Sequence, residues 1–293
     1  MKRYFIPLLV FSGILHAQLT VSSVRSLPIA KTEQWSNAQF SPDGRSVFLT
    51  NTEMNGIWEY SLTNNTLRVI TSDRYSGYGF TVSPSGSQLA YRTTIQEHTA
   101  KGPRVQRSVV IELKTLEKRV LQEGSSVDLP FFAGNDQVVT QRSLSSSSIT
   151  SQTGNLIIGT DEQGILLLKN GVSVSLDPLN GGRYIWPVLS PDGKRLAAVD
   201  MNRGAFISDA DGNNAVRIGR CNAPQWSYDN RWVIGMNDID DGHVIIGSEI
   251  IAVSADGKRK VVLTETPSVI ELFPTVNPKK NEFIATTTAG DLL

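Results

Sequence analysis

The sequence predicts an all-β fold, a six-bladed β-propeller of four-stranded antiparallel blades. The first observation is a tight-turn pattern, clearest as Ser-Pro-Asp-Gly, that recurs along the 293-residue chain. Its copies begin at Ser41, Ser83, Ala133, Ser190, Ser227 and Asn277. The second observation is that an apolar residue precedes each copy and an apolar run follows it. Because repeats of a few tens of residues are typical of propellers and solenoids, we predict strand–turn–strand units arranged in a ring.

Each unit then continues with further strand signals. In the first unit residues 56–62 have the alternating pattern of a strand, Asn64 and Asn65 mark a turn, and residues 67–70 form the returning strand of a hairpin. Short alternating runs bounded by Asn and Gly are typical of hairpins, and no segment shows a helical period. The pattern therefore predicts four strands per unit. A Ser/Thr-rich run at 143–153 predicts an exposed loop in the third unit.

The two ends of the repeat region complement each other. The sixth unit is one strand short, whereas residues Thr20–Ile29 precede the first unit and belong to none. Because an open ring leaves unpaired strand edges, which favour aggregation, we predict that Thr20–Ile29 forms a strand that closes the last blade. Residues 18–293 are then expected to form a single domain.

Residues 1–17 have the character of a signal peptide. Lys2 and Arg3 precede an apolar run at 4–15, and Leu15-His16-Ala17 forms a plausible cleavage stretch. The apolar run is too short to span a membrane. We therefore expect an exported protein, periplasmic or secreted, that has no transmembrane segment and is a monomer.

Charge excludes one class of partner. The chain carries 28 Lys and Arg against 28 Asp and Glu and has no basic run, so nucleic acid is not an expected partner. The single cysteine, Cys221, cannot form an internal disulfide, and we expect it to be a small buried apolar residue.

The repeats resemble those of a known family. Phe40-Ser-Pro-Asp-Gly-Arg followed by residues 47–49, and Leu189-Ser-Pro-Asp-Gly-Lys followed by residues 196–198, are similar to the WD40-like repeat of TolB-type propellers. The resemblance covers residues 20–293. It implies the fold and leaves function open, since propellers of this kind serve as interaction platforms, enzyme domains and peptidase gates.

Catalytic signals are few. His98 and His243 are the histidines beyond the leader, and neither a Gly-x-Ser-x-Gly motif nor a Gly-rich phosphate loop occurs. One acidic loop contains Asp238, Asp240, Asp241 and His243. Clustered carboxylates suit calcium, but the position of Gly242 does not fit a calcium-binding loop, and an exposed loop is the other interpretation. We expect no cofactor, with calcium as the weaker alternative.

Binding residues are expected where the first strand of each blade enters the central channel. Counting back from each turn selects Trp35, Tyr78, Asp128, Tyr184, Asn222 and Glu271. Aromatic and polar groups around one opening are typical of a recognition surface, although such aromatics also fill gaps between blades.

These signals favour a non-catalytic exported scaffold over an enzyme. We expect it to bind another envelope or secreted protein, or a glycan, through one face of the channel. The alternative is a propeller enzyme of the carbohydrate-lyase or peptidase-associated type, with metal or carboxylates at the channel mouth.

Overall fold

A computed structural model describes residues 19–29, 32–96, 102–134, 136–140, 154–266 and 268–293. The predicted signal peptide and the inserted run at 143–153 lie outside these residues. The structure is built of antiparallel β-strands with one short 3-10 turn, Ser76–Tyr78. Within the described ranges, no helix is long and apolar enough to cross a membrane.

The strands follow one another along the chain, and neighbours in sequence pair. The first sheet contains β1 (Trp35–Phe40), β2 (Ser46–Asn51), β3 (Ile57–Ser61) and β4 (Thr66–Thr71). The second contains β5 (Phe80–Val82), β6 (Gln88–Gln96), β7 (Val105–Glu112) and β8 (Lys118–Gly124). A short pair, β9 (Phe131–Phe132) and β10 (Val138–Val139), precedes β11 (Asn155–Thr160), β12 (Ile165–Lys169) and β13 (Val172–Leu176).

The second half is more regular. One sheet contains β14 (Tyr184–Leu189), β15 (Arg195–Asp200), β16 (Gly204–Asp209) and β17 (Val216–Gly219). The next contains β18 (Asn222–Trp226), β19 (Trp232–Asp240), β20 (Ile245–Ser254) and β21 (Lys260–Val262). The last pair is β22 (Glu271–Val276) and β23 (Phe283–Thr287).

The all-β propeller is confirmed, but the predicted number of blades is wrong. If a blade is a sheet of at least three paired strands, the described part of the chain has five: four with four strands, and β11–β13 with three. Strands β9 and β10 have two residues each, below the usual strand length of about 3–10 residues, and no other described strand pairs with them. Strands β22 and β23 form a sheet of two, extended by an isolated bridge from Thr286 to Leu292.

The predicted closing strand at Thr20–Ile29 is also wrong. The described residues 19–29 are not in a strand, although Leu27 N donates to Leu292 O at 2.9 Å. Ile29 N donates to Leu27 O at 2.8 Å, so the chain turns tightly around Pro28, which has no N–H to add to a ladder. Leu19 and Val21 instead pack sideways against the last two sheets.

The first strands of successive units stand side by side around a central channel. Strand β14 contacts β18, β18 contacts β22, and β22 contacts β1. Trp226 Nε1 of β18 donates to Val188 O of β14 at 3.3 Å. Asn37 Nδ2 of β1 donates to Gly77 O, in the 3-10 turn before β5, at 2.9 Å. Apolar side chains fill the space between adjacent sheets, where Trp226 packs with Val199 and Ile207.

The repeated turns lie at one end of this channel, where the first strands end. Ser190 Oγ donates to Asp192 Oδ1 at 2.6 Å and accepts from Arg195 N at 3.0 Å. The same arrangement recurs at Ser41 and at Ser227.

Neighbouring turns also bond to one another, and we call the end that they form the turn face. Asp192 N donates to Asn230 Oδ1 at 3.0 Å, and Ser85 N donates to Asp136 Oδ1 at 3.1 Å. Asn277 Nδ2 donates to Gly44 O at 3.1 Å. Because Asn277 belongs to the last unit and Gly44 to the first, this contact joins the two ends of the repeat region.

Candidate recognition surface in the central channel

One position of each unit, four residues before its turn, lies on the first strand or within two residues before it. We call this set the inner ring. Its members are Asn37, Gly79, Leu129, Trp186, Ala223 and Phe273.

A β-bulge sets the direction in which the side chains of four ring residues point. The pairing register shifts between Ser36 and Gln39, Ile185 and Val188, Asn222 and Gln225, and Leu272 and Thr275. The ring residue within each bulge has a positive φ: 46° at Asn37, 51° at Trp186, 47° at Ala223 and 47° at Phe273. Such angles are uncommon for residues other than glycine, and they are rarest for bulky residues. They persist where the surrounding structure imposes them, often at functional sites.

Proline explains where three of these bulges fall. Pro187, Pro224 and Pro274 directly follow Trp186, Ala223 and Phe273. Since proline cannot donate to a strand ladder, it is found at edges and bulges within a sheet.

The largest ring residues meet inside the channel. Trp186 and Phe273 contact edge to face, with 6.4 Å between ring centroids. They belong to β14 and β22, which have β18 between them, so their side chains meet across the inner surface of β18. Ala223, the ring residue of β18, is small enough to leave this space open. Trp186 and Phe273 remain 41% and 43% exposed, unusually high values for aromatic residues on inner strands.

The opposite side of the ring is also apolar. Leu129 is 40% exposed and lies so near Gly79 that a Cβ on that glycine would be 3.0 Å from Leu129 Cδ2. Next to Gly79, Tyr78 is 66% exposed, and the Arg92 guanidinium lies over its ring at 5.8 Å. Arg92 is held in turn by the carbonyl of Val127 at 3.3 Å. This arrangement adds a cation and an aromatic ring to the edge of the surface.

Three of the predicted binding residues lie in the interior. Trp35 is buried against Trp58, with 5.3 Å between ring centroids. Glu271 is fully buried. The Tyr184 hydroxyl donates to Asp177 Oδ1 at 2.6 Å and accepts from Leu179 N at 2.9 Å. Burial, together with Asp177, raises the pKa of Tyr184 to about 12, so it remains a neutral donor that fixes the 177–183 loop.

The other three predicted residues are closer to solvent. Tyr78 is the most exposed and lies beside the ring. Asn222 is half-buried, and its Nδ2 donates to Asp238 Oδ1 at 2.7 Å. Asp128 is half-buried next to Leu129, and its carbonyl accepts from Ser108 Oγ at 2.6 Å. The structure therefore brings Tyr78 to the candidate surface and gives Asn222 a partner in the neighbouring strand.

The acidic loop binds its own backbone. Asp240 Oδ1 accepts from Gly242 N at 3.0 Å, and Asp241 Oδ1 accepts from Val244 N and His243 N, both at 2.9 Å. These two backbone donors, Val244 first, lower the pKa of Asp241. Among the residues that the structure describes, no three His, Cys, Asp or Glu side chains are grouped to hold a metal. His98 lies outside them.

The ring was missed at the level of sequence, although a signal for it exists. Counting back from each turn assumes that an inner strand alternates regularly, and it selects Tyr184 instead of Trp186. The prolines at 187, 224 and 274 indicate that alternation breaks at this point, because a proline inside a strand marks a bulge. The residue before each proline is the ring residue.

Comparison with known proteins places the fold. No protein-family model matches the sequence, and no curated protein matches it. Among solved structures, TolB from Acinetobacter baumannii is 17% identical, with a TM-score of 0.56 over 83% of this chain and 57% of that one. The Cps50 (Swd1) β-propeller domain of Myceliophteria thermophila is 12% identical, with a TM-score of 0.57 over 90% and 97%. An oligogalacturonate lyase in complex with manganese is 13% identical, with a TM-score of 0.50 over 85% and 72%.

These similarities define the class of fold, a β-propeller. More particularly, the arrangement is TolB-like, as the repeats indicated. The chain spans 57% of the length of the TolB structure. At such low identities the likeness concerns the fold alone.

Proposed function

We propose that this chain is an exported, non-catalytic β-propeller that binds another protein at the inner ring. The observation that supports it is the exposed Trp186–Phe273 pair, held at positive φ inside the channel. Trp186 and Phe273 lie nearer to the start of their strands than to the turns, so a partner is expected to approach from the end where the first strands begin. Exported location and a monomeric state belong to the same proposal and rest on residues 1–17 and on the closed ring.

The chemistry of the ring favours a protein partner over a glycan. Four of its six members, Gly79, Leu129, Ala223 and Phe273, have no hydrogen-bonding group in the side chain. A sugar presents hydroxyl groups that need several polar partners, whereas an apolar side chain of a protein needs a dry, well-packed pocket. Tyr78 and Arg92 at the edge supply the polar rim that surrounds such a pocket in protein interfaces.

Truncation of the two central aromatics tests the proposal. Trp186→Ala and Phe273→Ala are each expected to weaken binding at least tenfold, because removing a central aromatic anchor typically costs about 2 kcal/mol or more. Peptides selected from a random phage library on the wild-type protein serve as probes, and a glycan array is screened in parallel. Trp186 is the most exposed of the tryptophans, so peptide binding at the ring should also shift the tryptophan emission spectrum of the wild-type protein.

Tyr228→Ala is the matched control, since Tyr228 is a 39% exposed aromatic on a turn of the turn face. It should bind the selected peptides as the wild type does. If both ring variants retain peptide binding while Y228A loses it, the proposed surface is wrong. If the array yields ring-dependent glycans and the library yields no peptide, the partner is a glycan.

A further inference from the structure

One buried carboxylate lacks the partners that its position demands. Glu271 begins β22 and is fully buried. Its Oε1 accepts from the Thr266 hydroxyl, whereas its Oε2 is buried without a hydrogen-bond partner. Burial raises the pKa of Glu271. Because a buried ionised group is unfavourable unless it is paired, this oxygen requires a proton or a cation.

A second carboxylate is attached to the same short segment. Glu249 of β20 is half-buried, and its Oε2 accepts from the Thr264 hydroxyl at 2.8 Å. Thr264 and Thr266 are two residues apart in the link between β21 and β22. Thr264 is itself buried and fixed, since its Oγ1 accepts from Ile250 N at 2.8 Å. Strands β20 and β22 contact each other, and after burial the charge of Glu249 also contributes to the raised pKa of Glu271.

We propose that Glu249 and Glu271, with the hydroxyls of Thr264 and Thr266, form a calcium site between β20 and β22. Carboxylate and hydroxyl oxygens are hard ligands, and calcium accepts them in flexible geometry, with water completing its shell. The cation gives Glu271 Oε2 a partner and offsets the repulsion between the two carboxylates. This site is separate from the acidic loop at Asp238 to His243, where Asp238 accepts from Asn222 and the carboxylates of Asp240 and Asp241 bind their own turn.

The site occupies a junction where a cation stabilises the ring. It joins the four-stranded sheet of β18–β21 to the sheet of β22 and β23. That sheet has two strands, fewer than the other sheets described in the second half of the chain. Glu271 also lies two residues before Phe273, so the cation fixes the strand that presents this ring residue.

Calcium titration of the purified protein tests the site. After treatment with EDTA and buffer exchange, the binding of CaCl₂ is measured by isothermal titration calorimetry, and thermal unfolding is followed with and without CaCl₂. We expect one bound calcium and a higher Tm. Glu271→Gln and Glu249→Gln keep the shape of the side chain, and each should weaken calcium binding at least about tenfold. Loss of a residue that only supports a metal ligand typically weakens binding about 10–100-fold, so loss of a ligand itself should cost at least the lower value.

Glu265→Gln is the control, because Glu265 is exposed in the same link between Thr264 and Thr266. It should bind calcium as the wild type does. The proposal is overturned if calcium neither binds nor raises the Tm of the wild type, or if E271Q responds to calcium as strongly as the wild type. A wild type that is insensitive to calcium but is stabilised by E271Q at neutral pH would show that a proton satisfies Glu271 instead.

Discussion

The turn face and the inner ring both occur once per unit, four residues apart, yet they repeat in different ways. At the turns the sequence repeats: Ser41, Ser190 and Ser227 each bond to an aspartate two residues on and accept from a backbone N–H five residues on. At four of the six ring positions the backbone repeats, with a bulge and a positive φ, while the side chains differ from unit to unit.

This difference separates what builds the propeller from what the propeller presents. A turn side chain replaces a backbone partner, so its identity is restricted by hydrogen-bond geometry. A ring side chain points into an open channel, so the fold restricts only its backbone. We therefore propose that the residues that vary at this structurally repeated position determine what the channel binds.

Loss of a turn serine is expected to have the largest effect on stability. Ser190→Ala removes a buried hydroxyl that satisfies both Arg195 N and Asp192, and it should lower the free energy of unfolding by about 1–3 kcal/mol. Urea denaturation measures the change. Lys194→Ala, an 81% exposed side chain in the same turn, should stay within about 0.5 kcal/mol of the wild type. Equal losses in both variants would contradict the structural role of the serine.

At a ring position, replacement by glycine is expected to leave the protein more stable than replacement by alanine, the reverse of the usual order in a strand. At Trp186 the positive φ penalises any L-residue by about 1–2 kcal/mol, more than the flexibility of glycine costs, so W186G should be more stable than W186A by about 0.5–1 kcal/mol. At Val188, a regular position of the same strand, V188G should be less stable than V188A by about the same amount. The same order at both positions would show that the bulge at Trp186 is unstrained.

The smallest expected effect is on pH dependence. The hydrogen bond from Ser190 lowers the pKa of Asp192 below its ordinary 3.8. A carboxyl whose folded-state pKa is depressed contributes stability above its unfolded pKa, and this contribution is lost as the pH falls through the folded value. D192N should therefore be less stable than the wild type at pH 7, and the difference should shrink below about pH 4. A difference between D192N and the wild type that is the same at pH 7 and below about pH 4 would contradict this linkage.

Prediction from sequence succeeded where a residue acts through its immediate neighbours. The all-β propeller and its TolB-like repeats followed from the turns, because serine, aspartate and glycine close a turn by contacts within five residues. Tyr78 is exposed beside the inner ring, and its role in binding stays a prediction. Trp35 and Tyr184 were assigned to the channel mouth by counting along a strand, and they lie between sheets because the bulge beyond them redirects the chain.

The errors in blade number and closure have a similar origin. Thr20–Ile29 has enough apolar residues for a strand, but the tight turn at Pro28 ends its extension. The third unit has the turn pattern, but β9 and β10 pair over only two residues each. Whether a candidate strand joins a sheet depends on whether a neighbouring strand presents free backbone hydrogen-bonding groups along its edge. The sequence of a single segment does not specify this.

The sequence by itself determined the class of fold, the positions of the repeated turns and the burial of the strands that follow them, since these depend on local hydrogen bonds and apolar pattern. Only the tertiary structure decided which side chains share a space. Trp186 meets Phe273 across β18, and Glu249 and Glu271 come to one short segment from different sheets. Such pairs are separated along the chain and are joined only by ring closure and by bulges, so their chemistry becomes visible only when the sheets are packed.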